Sequence, residues 1–310
     1  MSEKKPGYRW IVTVCAVLLL SCIPWSAPHA AGEAGVVAQS ADYFPDQIGN
    51  RWRYRGQITE GPLQTVELKF FSNESTVTGT KMMKGMTVTV FHDTNPGNHG
   101  AMDSFYRRDT VGIVYYGSDP GTPFEKQLVP YQIVRFPMKF SSSFQQFNRK
   151  DLDFGNDLDR DGINEKADAE GDAVVLGQES ITVPAGTFKD AVKLEARMRM
   201  QIYLSGMKKT VQGNDVMTAW FVKGVGLVKY VERQELSPLV EDRGVVTDIM
   251  EELESYEIKA PKASLGRGEP STEGLLADDA GDHELRQVVL ASGLRSHSGQ
   301  TMPPKRLATH

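Results

Sequence analysis

Acidic side chains are concentrated in the stretch NDLDRDGINEKAD, residues 156–168, where aspartates occupy every second position and a glycine follows. Calcium ions bind about six to eight oxygen atoms at roughly 2.3–2.6 Å. Alternate carboxylates can converge on one ion when the chain curls, and the glycine permits the sharp turn that brings later ligands round. The spacing therefore predicts a calcium-binding loop. The expected ligands are the side chains of Asp157, Asp159, Asp161, Glu165 and Asp168 and the backbone carbonyl of Ile163.

This stretch resembles the calcium loops of EF-hands and, more closely, the D-x-D-x-D-G-x-x-[DE]-x-x-D pattern of thrombospondin type 3-like repeats. With Asp157 as the first position, Ile163 is the seventh, Glu165 the ninth and Asp168 the twelfth. The resemblance implies the same set of ligands. Two features depart from it: the flanking sequence has no helical pattern, and the twelfth position holds Asp instead of the longer Glu.

The alternative is a solvated acidic loop without an ion. Its carboxylates would repel one another at neutral pH unless cations lie nearby, and Arg149, Lys150, Arg160 and Lys166 provide such cations. Magnesium fits less well than calcium because it requires a stricter octahedron with fewer protein ligands. Both cysteines lie in the first 22 residues, so the rest of the chain has no disulfide. We therefore interpret the predicted calcium loop as a structural clip.

The segments around the loop follow a period of two, which is typical of β-strands. In AVKLEARMRMQIYL, residues 191–204, the apolar side chains from Val192 to Ile202 face one way and the charged ones the other. Strands and helices do not alternate, which argues against a parallel α/β sheet. The sequence therefore predicts a mainly β fold, a twisted antiparallel sheet that forms a half-open barrel or sandwich.

Two further segments bear on this prediction. The alternation in TVELKFF places Val66, Leu68 and Phe70 on one face of a strand. The sequence VVTDIMEELESYEI, residues 245–258, fits a helix or a strand, and we favour a final strand because everything before it is β. Turns rich in Pro and Gly separate the strands, for example at residues 183–188.

The N-terminus carries a targeting signal, in which three basic residues precede an apolar stretch at residues 10–21. Two processing sites remain open. The sequence LLSC, which ends at Cys22, resembles the lipobox of bacterial lipoproteins, whose cysteine receives a lipid anchor. Ordinary cleavage after small residues near Ala30 is the alternative. Either site predicts export to the periplasm or cell envelope, and lipidation predicts anchoring, for example in the outer membrane.

The domain organisation follows from these patterns. Residues 1–31 are the predicted signal peptide, and residues 32–42 are a predicted flexible spacer. A β domain spans residues 43–258 and contains the acidic loop as an insertion at residues 149–172. Residues 259–310 are polar and rich in Pro and Gly, which predicts a largely disordered tail.

Three stretches resemble a group of uncharacterised bacterial exported proteins and lipoproteins. They are YFPDQIGNRWRY, VPAGTFKDAVKLE and TAWFVKGVGLVKY, which carry W-x-Y, V-P-A-G-T-F and G-V-G-L-V signatures and begin at residues 43, 183 and 218. The resemblance covers most of residues 43–258. It implies a fold type and an envelope location, and it implies no activity or ligand.

Catalytic signatures are missing from the sequence: it has no nucleophile elbow, zinc-peptidase helix, phosphate loop or dinucleotide fingerprint. The net charge of -5, without a basic stripe, argues against a nucleic-acid partner. His92 and His99 flank a turn and lack the spacing of metal ligands, so we interpret them as surface residues.

The leading hypothesis is a non-enzymatic bacterial envelope protein with one structural calcium loop. A second hypothesis is a barrel-like carrier of a lipid or other apolar molecule, whose concave face would include Met198, Met200 and Ile202. A third is a calcium-dependent hydrolase of envelope polymers, which would require convergent carboxylates in a cleft near the loop.

Overall fold

Twelve antiparallel strands form one sheet that closes almost completely into a barrel. The computed structural model describes residues 35–62, 66–238 and 244–259. The first six strands are β1 (Arg51–Pro62), β2 (Glu67–Met83), β3 (Met86–Asp93), β4 (Met102–Arg108), β5 (Gly112–Asp119) and β6 (Tyr131–Arg135). The last six are β7 (Ser142–Asp153), β8 (Lys166–Val183), β9 (Gly186–Leu204), β10 (Lys209–Val222), β11 (Gly226–Leu236) and β12 (Val245–Glu257).

The strand order around the barrel is β6-β5-β4-β3-β2-β1-β12-β11-β10-β9-β8-β7. Strands that are consecutive in the chain pair with each other, except that β1 pairs with β12 and the edges are β6 and β7. Among the described residues no ladder joins these edges, and the Gln146 side chain bonds the Gln132 carbonyl across the gap at 3.1 Å. The predicted mainly β, antiparallel fold is confirmed, and the sheet forms a barrel rather than a sandwich.

Apolar side chains on the inward faces fill much of the barrel. On β9 the predicted stripe is buried, including Met198, Met200 and Ile202. The stripe of Val66, Leu68 and Phe70 shares a face as predicted, but it lies in solvent, and Phe70 is 75% exposed. This part of β2 pairs with β1 but extends beyond the ladder with β3, which begins only at Ser75, so no inward face is available to it.

Residues 35–46, which we call the N-terminal strap, pack on the barrel beside the gap. The Val37 amide bonds the Met138 carbonyl, and the Phe140 amide bonds the Gly35 carbonyl, both at 2.9 Å. Val37 is only 4% exposed. The flexible spacer predicted at residues 32–42 therefore differs from the structure, in which its described part is bonded to the β6–β7 connection.

The acidic insertion is shorter than the predicted range of residues 149–172. Both of its ends belong to the β7–β8 ladder, and only residues 154–165 form a loop. Small residues of β8 face inward, and the Phe147 ring covers Gly171 so closely that an added Cβ would lie 2.5 Å from it. The alternating acids of β8 face outward, which made this half of the ladder look like a loop in the sequence.

One α-helix, α1 (Pro123–Leu128), lies between β5 and β6 among the described residues. It begins with a capping box, in which Thr122 and Glu125 each accept the other's amide. No helix in the described ranges is long and apolar enough to cross a bilayer. The predicted signal peptide, Cys22 and the predicted tail after Lys259 lie outside the described residues.

Candidate functional sites

The loop at residues 154–165, which we call the acidic loop, is organised around Glu165. This side chain is 0% exposed. Its Oε1 accepts hydrogen bonds from the amides of Leu158 at 3.1 Å and Asp159 at 3.2 Å, and its Oε2 accepts one from the Ser205 amide at 3.1 Å. Ser205 belongs to the β9–β10 turn, so Glu165 fastens the loop to that turn.

Two aspartates of the acidic loop are held by further amides. Asp157 accepts bonds from the amides of Asp161 at 3.1 Å and Gly162 at 2.8 Å. Asp159 Oδ2 accepts bonds from the amides of Gly206 at 2.8 Å and Met207 at 3.0 Å in the β9–β10 turn. Asp159 Oδ1 is buried and has no hydrogen-bond partner among the described residues. One carboxylate oxygen is thus left for another ligand.

Three of the five predicted carboxylates converge. Asp157, Asp159 and Glu165 each offer an oxygen, and these oxygens lie within 4.8 Å of one another. Asp161 lies beside this group and accepts bonds from the Ile163 amide and the Ser205 hydroxyl. Asp168 lies outside the group, on β8, where it bonds Lys150 at 2.7 Å and the Asp151 amide at 3.0 Å. The Ile163 side chain is exposed.

The negative charges of the acidic loop are not offset by the lysines and arginines that the alternative without an ion predicts. Backbone amides, rather than the neighbouring lysines and arginines, face the carboxylates of Asp157, Asp159 and Glu165. Such amide dipoles stabilise negative charge without a full positive charge nearby. Lys150 instead pairs with Asp168, and this hydrogen bond lowers the pKa of the Asp168 carboxyl.

A second candidate site is a cavity of about 120 Å³ inside the barrel. Seven aromatic side chains line it: Tyr43, Phe44, Trp52, Tyr54, Phe91, Tyr106 and Phe221. Phe91 joins two of them, with its ring centroid 6.1 Å from that of Trp52 and 5.4 Å from that of Tyr106. The N-terminal strap forms one wall of this aromatic cavity through Tyr43 to Asp46.

The polar groups of the aromatic cavity are few. The Trp52 indole N–H donates a hydrogen bond to the Val225 carbonyl at 2.6 Å, and the Tyr54 hydroxyl donates one to the Leu227 carbonyl at 3.0 Å. Arg108 is paired with Asp46 of the strap, with Nε 2.9 Å from Oδ2. The remaining charged groups on its wall are the carboxyls of Asp93 and Glu251.

These two carboxyls belong to a row of four buried acids on several strands of the barrel, which we call the acidic belt. The belt consists of Asp93 on β3, Glu251 on β12, Glu232 on β11 and Asp215 on β10, and each side chain is at most 2% exposed. The Asn73 amide nitrogen links the first two, at 2.8 Å from Asp93 Oδ1 and 3.3 Å from Glu251 Oε2. No lysine, arginine or histidine side chain is buried in the described part of the chain.

Burial without a basic side chain nearby raises the pKa of three carboxyls of the acidic belt. Loss of hydration raises the pKa of Glu251 to about 7, although the Gly97 amide and Asn73 favour its ionised form. Burial also raises the pKa of Asp93 well above its ordinary value. The pKa of Asp215 is raised by burial and by the nearby Glu232 carboxyl. Asp93, Asp215 and Glu251 therefore keep their protons at pH values at which ordinary surface carboxyls have lost them.

A smaller cavity of about 60 Å³ borders the other end of the belt. Its wall includes Asp215, Glu125 of α1, and the predicted carrier residue Met198. The polar neighbours of Asp215 in the belt include Glu232 and Gln234. Met200 and Ile202, also predicted to face a ligand, lie in the packed core around this cavity.

The sequence contained a signal for the belt that its apolar alternation concealed. On β11 the buried positions run Val228, Tyr230, Glu232, Gln234 and Leu236, so two polar residues continue an apolar stripe. A carboxylate at an inward position of a strand is the pattern to search for. His92, interpreted as a surface residue, is half-buried in β3 and pairs with Asp103 at 3.0 Å.

Comparison with known proteins adds little to this geometry. No protein-family model matches the chain, and no curated protein matches its sequence. A Bacteroides fragilis structure described as an exported protein with a YmcC-like fold gives a TM-score of 0.30 at 14% identity, and covers 69% of this chain and 98% of its own. A Parabacteroides distasonis structure described as a lipoprotein gives a TM-score of 0.30 at 17% identity, and covers 69% of this chain and 98% of its own. Similarity at this level carries no argument about function.

Proposed function

We propose that this protein is a non-enzymatic binding protein of the bacterial cell envelope, and that its barrel holds a small, largely apolar molecule in the aromatic cavity. The observation that carries this proposal is the half-open cavity of about 120 Å³ that seven aromatic side chains line. An engineered apolar cavity of about 150 Å³ binds benzene. The aromatic cavity therefore suits a single ring or a short branched chain better than a whole lipid.

The envelope location rests on the sequence. A basic and then apolar N-terminal segment is typical of export signals, and Cys22 ends a sequence similar to a lipobox. A lipid on Cys22 would tether the barrel through the residues that precede the N-terminal strap. Metabolic labelling with a palmitate analogue, with Cys22→Ala as the control, tests the anchor directly.

Binding in the aromatic cavity is tested by calorimetric titration of the purified protein with benzyl alcohol. Thr89 lines the cavity, so Thr89→Leu fills part of the space and should weaken binding by at least about tenfold. Thr87→Leu on the same strand is the matched control because Thr87 is exposed. Binding that is equal in both variants would place the probe elsewhere and contradict the proposal.

We also propose that the acidic loop binds one calcium ion as a structural clip. The converging oxygens of Asp157, Asp159 and Glu165 and the unpartnered Asp159 Oδ1 support this proposal. Asp161 and the Ile163 carbonyl remain candidate ligands, whereas Asp168 would have to leave Lys150 to join. Calorimetric titration of the metal-free protein with calcium should give one site, and magnesium should give weaker binding.

A further inference from the structure

The charges around the aromatic cavity do not balance. Arg108 is already paired with Asp46, so it offers no net charge to Asp93 and Glu251. Both acids are at most 2% exposed, and no basic side chain is buried among the described residues. Burial without a positive partner disfavours the ionised form, so a cation beside either acid would stabilise its carboxylate.

The cavity walls favour the cation. Aromatic ring faces attract ammonium and guanidinium groups, most strongly where water is excluded. Seven aromatic side chains surround the space that the two carboxyls border. Asp93 and Glu251 lie close together, since one Asn73 amide nitrogen bonds both of them. A cavity with aromatic walls and an acidic end fits a molecule that has an apolar body and a positive end.

We propose that the aromatic cavity takes up a small organic cation, a protonated amine with an apolar group, whose charge lies against Asp93 and Glu251 and displaces a proton. This inference rests on the proposed function, because it names the ligand class of the same cavity. In the exchange, the O–H bond of one carboxylic acid breaks, the proton leaves to solvent, and the carboxylate pairs with the ammonium group.

The groups around Glu251 allow this exchange near neutral pH. The Gly97 amide bonds its Oε1 at 2.7 Å, and that bond favours the carboxylate. The other titratable or charged groups that face this part of the barrel are Asp93 on β3, Asp103 on β4 with its partner His92, Tyr54 on β1, Tyr230 and Glu232 on β11, His99 beside Gly97, and the Arg108–Asp46 pair. Since acids outnumber bases here, an added cation lowers the repulsion among them.

The test compares benzylamine with benzyl alcohol, two probes of nearly the same shape, by calorimetric titration of the purified protein. Benzylamine stays protonated at both about pH 8 and about pH 5.5. At about pH 8 it should bind at least about tenfold more tightly than benzyl alcohol, and at about pH 5.5 most of this preference should disappear. Titrations at about pH 6, below the pKa of Glu251, in buffers of different ionisation enthalpy should show proton release on binding of benzylamine only.

Variants assign the preference to the acidic end. Glu251→Gln should reduce the preference for benzylamine over benzyl alcohol by at least about tenfold at about pH 8. Glu254→Gln, an exposed position on the same strand, should leave both unchanged. Asp93→Asn provides the same test at the neighbouring carboxyl if Glu251→Gln does not fold.

The outcomes separate the two proposals. Equal binding of both probes by the unmodified protein at about pH 8 would overturn the cation inference and leave the proposed binding function standing. Tighter binding of benzoate than of benzylamine would also overturn the inference. Failure of every probe to bind would overturn both proposals.

Discussion

The acidic loop and the acidic belt concentrate the same side chains and stabilise them in opposite ways. In the loop, Glu165 is as buried as any residue of the belt, yet three backbone amides bond its carboxylate. In the belt, burial outweighs the available donors, and the pKa of Glu251 rises to about 7. Two equally buried glutamates thus have different surroundings, three backbone amides at Glu165 and a neighbouring acid at Glu251.

This difference shows that burial alone does not describe the surroundings of a carboxyl, because hydrogen bonds to the ionised form favour it and burial disfavours it. Converging carboxylate oxygens held by backbone amides suit a hard cation such as calcium. An arrangement that holds a proton suits a ligand whose binding depends on pH.

The largest effect is expected at the centre of the loop. Glu165→Ala leaves three amides without their acceptor, which should lower the free energy of unfolding by about 3 kcal/mol or more. Asp168→Ala removes the other end of the predicted ligand set, where the acid is paired on the surface, and should cost much less. Urea unfolding without calcium measures both, and equal losses would contradict the central role of Glu165.

The belt should respond to pH rather than to metal. Because the pKa of Glu251 is about 7 in the folded chain and ordinarily 4.5, its burial costs nothing below about pH 4.5, and stability falls as the pH rises through 7. Glu251→Gln removes this titration. Its stability relative to the unmodified protein should therefore increase by about 3 kcal/mol between about pH 4.5 and pH 8. A constant difference across this range would show that Glu251 titrates normally.

Calcium binding should separate the acidic loop from the acidic belt by its effect on the stability of variants in each. At about 100 times the dissociation constant, a ligand that binds only the folded state adds about 2.7 kcal/mol. This gain, read from melting in calcium and in chelator, should persist in Glu251→Gln and disappear in Asp159→Asn. A gain that survives in Asp159→Asn would place the ion away from the acidic loop.

The smallest effect is expected at the surface pair beside the loop. Lys150→Ala should change the free energy of unfolding by less than about 1 kcal/mol, because its partner Asp168 remains hydrated. The difference should shrink further in high salt. A larger loss would mean that Lys150 also balances the charge of the loop itself.

The fold was largely predictable because alternation is a local property. The stripe on β9 predicted a strand with one dry face, and that face is buried. The stripe of Val66, Leu68 and Phe70 was equally regular, but its exposure depends on how far β2 extends past β3, which is a matter of register. The spacer was misread because small residues can pack when a neighbouring connection supplies backbone partners.

The candidate sites also differ in whether local sequence or the tertiary structure brings their residues together. Asp157, Asp159 and Glu165 were accessible to sequence reasoning because a tight loop brings nearby residues together. Asp168 is nearly as close in sequence, but the β7–β8 ladder directs it to Lys150. The acidic belt draws its members from β3, β10, β11 and β12, and the long-range pairing of β1 with β12 brings Asp93 near the other three.

The N-terminal strap also gives the barrel a defined point at which mechanical load enters. Tension on the chain ahead of Gly35 reaches first the backbone bonds to Phe140 and Met138, and next the segment that lines the aromatic cavity. The strap is thus the first part of the described structure to bear such tension, and it carries one wall of the aromatic cavity with it.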